Sequence, residues 1–148
     1  MAPYHYTISY GDTDAGGVVY FANYLRLCER SWFRFLKERG WDLAVRERDG
    51  ALFLTVKKVE ADFIAPARYG TTVEIVTTVE NLTRASLWFR HVLRDAETQT
   101  QFATVRNQMV AVDGAGKLRR LPPTLREILA EALGKENEGE NGPPGTGK

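Results

Sequence analysis

Two carboxylates, Asp12 and Asp14, and two adjacent glycines, Gly16 and Gly17, stand just ahead of a long helical pattern that opens near Tyr20. The start of a helix carries N–H groups without intrahelical partners and the positive end of the macrodipole. A carboxylate held beside such donors suits attack on a carbonyl whose oxygen gathers negative charge. Glycines there let a backbone approach a ligand without a Cβ in the way. Acyl transfer or hydrolysis is the chemistry this grouping can do. The bland alternative is that the aspartates only cap a turn or a helix.

Other chemistries fit less well. A calcium loop opening at Asp12 would need Glu at its twelfth position and has Asn23, which argues against an EF-hand. An aspartyl-phosphate phosphatase needs alternating strands and helices, and that alternation is missing. Neither a phosphate-binding P-loop nor a dinucleotide fingerprint is matched. Cys28 falls on the apolar face of the helical pattern and reads as a buried, inert thiol. The imidazoles are His5 and His91. His91 shares a strand face with Leu87, Phe89 and Leu93 and reads as a core histidine. No G-x-S-x-G elbow occurs. A catalytic base or nucleophile is therefore expected to be a carboxylate. With one cysteine and no Cys pair for a zinc site, no metal is expected.

The elements that must position these residues follow from periodicity. Residues 4–10 alternate as a strand. Residues 20–39 read as a helix with Tyr24, Leu25, Cys28, Trp32, Phe35 and Leu36 on one face, closed by Gly40. Phe33 lies off that face, as a lone exposed group or an interface contact. Residues 52–65 form a long strand whose apolar face switches near Lys57 and Lys58, the mark of a bulge or bend. Strands follow at 72–80, 86–94 and 101–112, joined by connections short enough for antiparallel hairpins. Trp88 should project opposite Leu87 and Phe89. Pro122 and Pro123 open a short helix bearing Leu125, Ile128, Leu129, Ala132 and Leu133. The layout is α+β: a curved antiparallel sheet of about five strands around one long helix.

The 148 residues suit one domain, expected over residues 1–134, and 135–148 read as a disordered tail without apolar side chains. A formal net charge of +1 gives no global case for nucleic acid or a membrane surface. No signal-peptide pattern or apolar run of membrane-spanning length is present, so a cytoplasmic setting is expected. Arg84, in a turn with Thr83 and Ser86, could contact phosphate or simply be solvated. Lys117, Arg119 and Arg120 form a second basic cluster that could help hold a phosphorylated group.

The run from Tyr10 to Tyr24, supported by the stretch from Ala61 to Gly70 and by Leu121-Pro122, resembles the 4-hydroxybenzoyl-CoA thioesterase-like family of hotdog-fold acyl-CoA thioesterases. The resemblance spans roughly residues 4–130. It implies a hotdog fold, hydrolysis of short-chain or aromatic acyl-CoA, and a homodimer or homotetramer. It implies no separate cofactor, since coenzyme A is part of the substrate. It assigns the catalytic carboxylate to Asp14 and the carbonyl-polarising N–H to Phe21, with Asp12 mainly structural. Gly16 and Gly17 are expected to let the backbone approach the substrate, and Tyr20, Tyr24, Leu54, Thr55 and Val56 to wall the acyl pocket; the resemblance maps the coenzyme A turn onto Thr83, Arg84 and Ser86. Some members carry two adjacent basic residues in that turn, where this chain has Arg84 followed by Ala85. A non-catalytic acyl-CoA binder and a hotdog dehydratase or hydratase are the alternatives. The latter would pair a histidine with its acid, and none adjoins this motif.

Overall fold

A computed structural model describes residues 3–48 and 52–140. In chain order the elements are β1 (Tyr4–Thr7), a single 3-10 turn (Tyr10–Asp12), α1 (Asn23–Glu38), α2 (Leu43–Arg48), β2 (Phe53–Phe63), β3 (Thr72–Leu82), β4 (Ser86–Asp95), β5 (Gln101–Val112), β6 (Leu118–Arg119) and α3 (Pro123–Glu140). The sheet is antiparallel in the order β1-β3-β4-β5-β2, with the short β6 added beside β5. The strand at residues 4–10 is shorter than expected, because the chain turns at Tyr10 to enter the Asp12 loop.

Helix α1 lies against one face of the sheet. It buries Tyr24, Leu27, Cys28, Ser31, Trp32, Phe35 and Leu36, a stripe at three- and four-residue spacing. Leu27 therefore replaces Leu25, which is exposed, because Leu25 is turned away from that stripe. The chain leaves α1 through Gly40, whose φ of 90° needs a residue without a Cβ. Two differences concern the helices. The sequence pattern does not reveal α2, which is one and a half turns long and starts where the Ala44 N–H meets the Asp42 carboxylate. Helix α3 has 18 residues against 16 for α1, and residues 135–140, read as coil, continue it. A Lys135–Glu131 ion pair one turn apart supports that continuation. Residues 141–148 of the expected tail lie outside the described residues.

The expected bulge in the long strand is present: β2 slips register against β5 between Val56 and Lys58. The slip keeps Leu54, Val56, Val59, Ala61 and Phe63 all on the helix side, opposite Ala111, Met109, Asn107, Val105 and Ala103. Unlike those partners, the β2 residues are not covered by α1. Val56 is 46% exposed, Val59 41% and Phe63 51%. Trp88 does project from the other face, where Arg106 lies 4.7 Å and Lys58 5.9 Å from its ring. Phe33 packs beside Trp32 on the main core cluster. Neither is the exposed apolar group expected from the sequence. Exposed apolar surface gathers along β2 instead.

The core is divided by a polar band. On each element one polar residue separates the two apolar clusters: Ser31 on α1, Thr77 on β3, His91 on β4 and Asn107 on β5. They form one chain, Ser31 Oγ to Thr77 Oγ1 at 2.6 Å, Thr77 Oγ1 to His91 Nδ1 at 2.8 Å, and His91 Nε2 to Asn107 Oδ1 at 2.7 Å. Burial pulls the His91 imidazole from 6.5 down to about 4, against the Asn107 hydrogen bond, which raises it. The folded state thus holds His91 neutral while the unfolded chain binds a proton below about pH 6.5. Stability is complete above pH 6.5 and falls as pH drops toward 4, by up to about 3 kcal/mol from this residue. Thermal unfolding between pH 8 and pH 4 should show a shallower decline in His91→Gln than in the unaltered chain. Equal slopes would remove His91 as the cause.

Candidate active site

The site begins where β1 hands the chain to the Asp12 turn. Asp12 Oδ2 accepts hydrogen bonds from the Tyr6 hydroxyl and from the Ser9 N–H and hydroxyl, each at 2.8 Å. Partial burial raises the Asp12 carboxyl, but these bonds and the Arg30 charge outweigh it, and the carboxyl sits below its usual range. The Asp12 carbonyl accepts from the Tyr20 N–H at 3.0 Å and from Asn23 Nδ2 at 2.9 Å. Asp12 thus ties β1 to the start of α1, a structural role.

Asp14 is placed differently. Its N–H donates to the Val18 carbonyl at 2.9 Å and its carbonyl accepts from the Gly17 N–H at 3.0 Å, which closes a tight loop. Its side chain is exposed, and Oδ1 accepts from the Gly16 N–H at 2.8 Å. Among the described residues Oδ2 has no partner in the chain. The backbone at Gly17 favours a residue without a Cβ, and Gly16 leaves room for the Asp14 carboxylate. A Cβ at Gly16 would come within 3.1 Å of Asp14 Oδ1, and Gly17 has φ 74°. The loop is pinned to the segment between β2 and β3 by Val19 N–H donating to the Ala67 carbonyl at 2.9 Å.

Regular helix begins at Asn23, three residues later than the pattern suggests. Residues 20–22 instead form successive turns, with N–H groups of Asn23, Tyr24 and Leu25 donating to the carbonyls of Tyr20, Phe21 and Ala22. Among the described residues the Phe21 N–H has no acceptor. Phe21 precedes Ala22, the N-cap of α1, and is exposed. Around it stand aromatic rings: Tyr20 lies 4.8 Å from Phe21, and Phe63, which the sequence pattern does not single out, lies 6.0 Å from Phe21 and 5.7 Å from Tyr24. The alternation along β2 could have placed Phe63 on the helix side, but not beside Phe21. Tyr24 is buried, and its hydroxyl accepts from the Ala67 N–H at 3.3 Å. Burial raises its phenol, with the Ala67 bond opposing.

One end of the chain therefore holds Asp14, Gly16, Gly17, Tyr20, Phe21 and Tyr24 together. The other expected contacts are elsewhere. Leu54 and Val56 are at the opposite end of β2, and Thr55 pairs with Val110 on the other face of the sheet. The β3–β4 turn is at the far end of β3, whose 11 residues span on the order of 35 Å. In that turn Thr83 and Ser86 spend their hydroxyls on each other at 2.8 Å, and Thr83 Oγ1 also accepts from the Ser86 N–H at 3.0 Å. They brace the turn and leave Arg84 projecting. Neither histidine joins the site: His91 is in the core, and His5 on β1 pairs with Glu74 at 3.6 Å.

A long helix cradled by an antiparallel sheet in this strand order is the hotdog fold. A 1,4-dihydroxy-2-naphthoyl-CoA thioesterase from Staphylococcus aureus superposes with a TM-score of 0.86 at 21% identity, covering 93% of this chain and 94% of that one. The chain belongs to the thioesterase-like superfamily, whose pattern matches residues 8–133. It is 30% identical over 134 residues to a 1,4-dihydroxy-2-naphthoyl-CoA hydrolase of Picosynechococcus, covering 87% of this chain and 92% of that protein. It is 33% identical over 125 residues to the acyl-CoA thioester hydrolase YbgC of Escherichia coli, covering 84% and 90%.

Proposed function

We infer that this chain hydrolyses acyl-CoA thioesters, releasing the free acid and coenzyme A, with Asp14 as the reacting carboxylate. The observation that carries this is the exposed Asp14 side chain, held by the Gly16 N–H in the loop that leads to the unpartnered Phe21 N–H. The thioester carbonyl takes that N–H, and the helix start stabilises the developing oxyanion by about 3 kcal/mol per donor. Two routes use the same geometry. Asp14 removes a proton from an attacking water, or it attacks the carbonyl itself and water then cleaves the anhydride. In both, the C–S bond breaks and coenzyme A leaves as the thiolate, to be protonated by solvent. Tyr20, Phe21 and Phe63 wall the acyl side, which suits a short or aromatic acyl group. No helix among the described residues is long and apolar enough to cross a membrane, and a cytoplasmic enzyme fits the single cysteine, buried at Cys28.

The working unit is a homodimer at least. Strand β2 pairs on one side only, and its uncovered face carries Val56, Val59 and Phe63. An edge so apolar invites a second strand. A two-fold axis through the middle of β2 pairs it antiparallel with its copy. Phe63 and Asp14 of one subunit then adjoin Leu54, Val56 and the Arg84 end of the other, which unites contacts that a single chain keeps apart. Pairing of two such dimers gives the tetramer. A hydrolysis screen with free-thiol detection, run over aliphatic and aromatic acyl-CoAs, tests the activity. Release of thiol from none of them would leave the non-catalytic binder as the better reading.

A further inference from the structure

The Tyr20–Asn23 turn carries the Phe21 N–H, which has no acceptor among the described residues, and one oxygen holds that turn from both ends. The Asp12 carbonyl accepts from the Tyr20 N–H at 3.0 Å at the first corner and from Asn23 Nδ2 at 2.9 Å at the last. Within the turn the Asn23 N–H donates to the Tyr20 carbonyl at 2.8 Å. That carbonyl and the Phe21 N–H belong to one planar trans peptide and point in opposite directions. Fixing the carbonyl therefore fixes the direction of the N–H. Asn23 does this with its backbone donor, and its side chain ties the same turn to the Asp12 loop. The Asp12 end is firm, because its carboxylate is held by Tyr6 on β1 and by Ser9.

Asn23 does not behave as an ordinary residue of a helix start. There a polar side chain usually accepts a hydrogen bond from a backbone N–H two or three residues on. Asn23 instead donates, and its acceptor lies 11 residues back along the chain. The N-cap itself is Ala22, which makes no side-chain capping bond and brings no oxygen to compete for the open donor. Asn23 is half-buried, whereas Phe21 is exposed. The clamp is thus shielded from water while the donor it orients is not.

We propose that Asn23 is a positioning residue for the hydrolysis: it clamps the Tyr20–Phe21 peptide to the Asp12 carbonyl, so that the Phe21 N–H is aimed before the substrate arrives. The proposal rests on the hydrolase reading. A donor stabilises an oxyanion best when nothing has to reorganise in the transition state. A loosened clamp should therefore lower kcat and leave KM alone. Asn23→Ala removes Nδ2 and keeps the backbone bond to Tyr20. It should lower kcat on acyl-CoA by about tenfold, a part of the roughly 10²–10³ that a whole oxyanion donor contributes. Asn23→Asp keeps the size and loses the donor, and its carboxylate suits the positive end of α1. Its melting temperature should hold while kcat falls at least as far. Asn23→Gln keeps an amide donor and should regain part of the loss.

The direct readout is relaxation dispersion of the Phe21 amide in protein labelled with ¹⁵N-phenylalanine. The profile should be flat in the unaltered chain and show exchange on the μs–ms scale in Asn23→Ala. Phe35 and Phe89, both in the core, should stay flat in both proteins. Unchanged kcat in the folded alanine variant, or a fall confined to the aspartate variant, overturns the clamp, since the second result is an effect of charge. If the unaltered chain hydrolyses no acyl-CoA, the hydrolase reading fails instead. The Phe21 profile then decides the clamp alone, and a flat profile in Asn23→Ala refutes it.

Discussion

Asp14→Asn should lower kcat by roughly 10²–10⁴-fold while the protein stays folded. Asparagine keeps the size and one acceptor oxygen, so the hydrogen bond from the Gly16 N–H survives. It removes both basicity and nucleophilicity. Asp14 is exposed and ties no other element to the loop through its side chain, so the melting temperature should move little. Asp12→Asn gives the contrasting result. Asp12 accepts three hydrogen bonds through one oxygen, so its replacement should lower stability before it lowers turnover. Label in the Asp14 carboxylate after a single turnover in ¹⁸O-water would establish the anhydride route with water attacking the Asp14 carbon, whereas attack at the substrate acyl carbon puts the label in the product acid on either route. A folded Asp14→Asn protein that keeps its rate on the best acyl-CoA would remove Asp14 from the chemistry.

Much of the fold is legible in the order of the residues. Periodicities of two and of three to four residues locate β2 to β5 and α1, since alternate or stacked side chains must face one core. The bulge at Lys57 shows because the apolar residues change from even to odd positions there, and the extra residue keeps them on one face. His91 is legible as core because its strand neighbours are apolar. Asp12 and Asp14, two residues apart and alike in type, are separated in the sequence only through the resemblance. The structure supplies a reason, three donors on Asp12 and one on Asp14. Helix α2 escapes because six residues are too few to show a period. Trp88 and Phe33 are more covered than their positions in the pattern suggest. Periodicity tells which face a side chain occupies, not whether a lysine or arginine from another strand covers it. The apolar surface of β2 could not be foreseen either, because α1 leaves that edge strand uncovered.

Heterodimers built from one Asp14→Asn subunit and one Arg84→Ala subunit should regain about half the activity of the unaltered dimer, since two-fold pairing leaves one intact site of two. The Asp14→Asn homodimer should keep at most about one per cent of kcat/KM on acyl-CoA and the Arg84→Ala homodimer about a tenth, given the losses expected for the carboxylate and for one charged contact. The recovery follows from the position of the two half-sites. Phe21, in the segment that follows the Asp14 loop, adjoins the Phe63 end of β2, while Ser86 of the Arg84 turn and Thr55 near the Phe53 end both pair with Val110 of β5. One chain separates them by the length of the strand, about 35 Å, further than the pantetheine arm can reach. Antiparallel pairing of β2 with its copy brings the Phe63 end of each chain to the Phe53 end of the other. In the mixed dimer the intact Asp14 then faces the intact Arg84, and the substituted asparagine faces the alanine. Co-expression with two affinity tags gives the heterodimer free of either parent, and light scattering checks its mass. If the purified heterodimer stays at the level of its parents, each site is built within one chain, and the two-fold arrangement through β2 is wrong. A Val59→Asp substitution gives an independent check, because a charge on the uncovered face of that edge should weaken the dimer and the activity together.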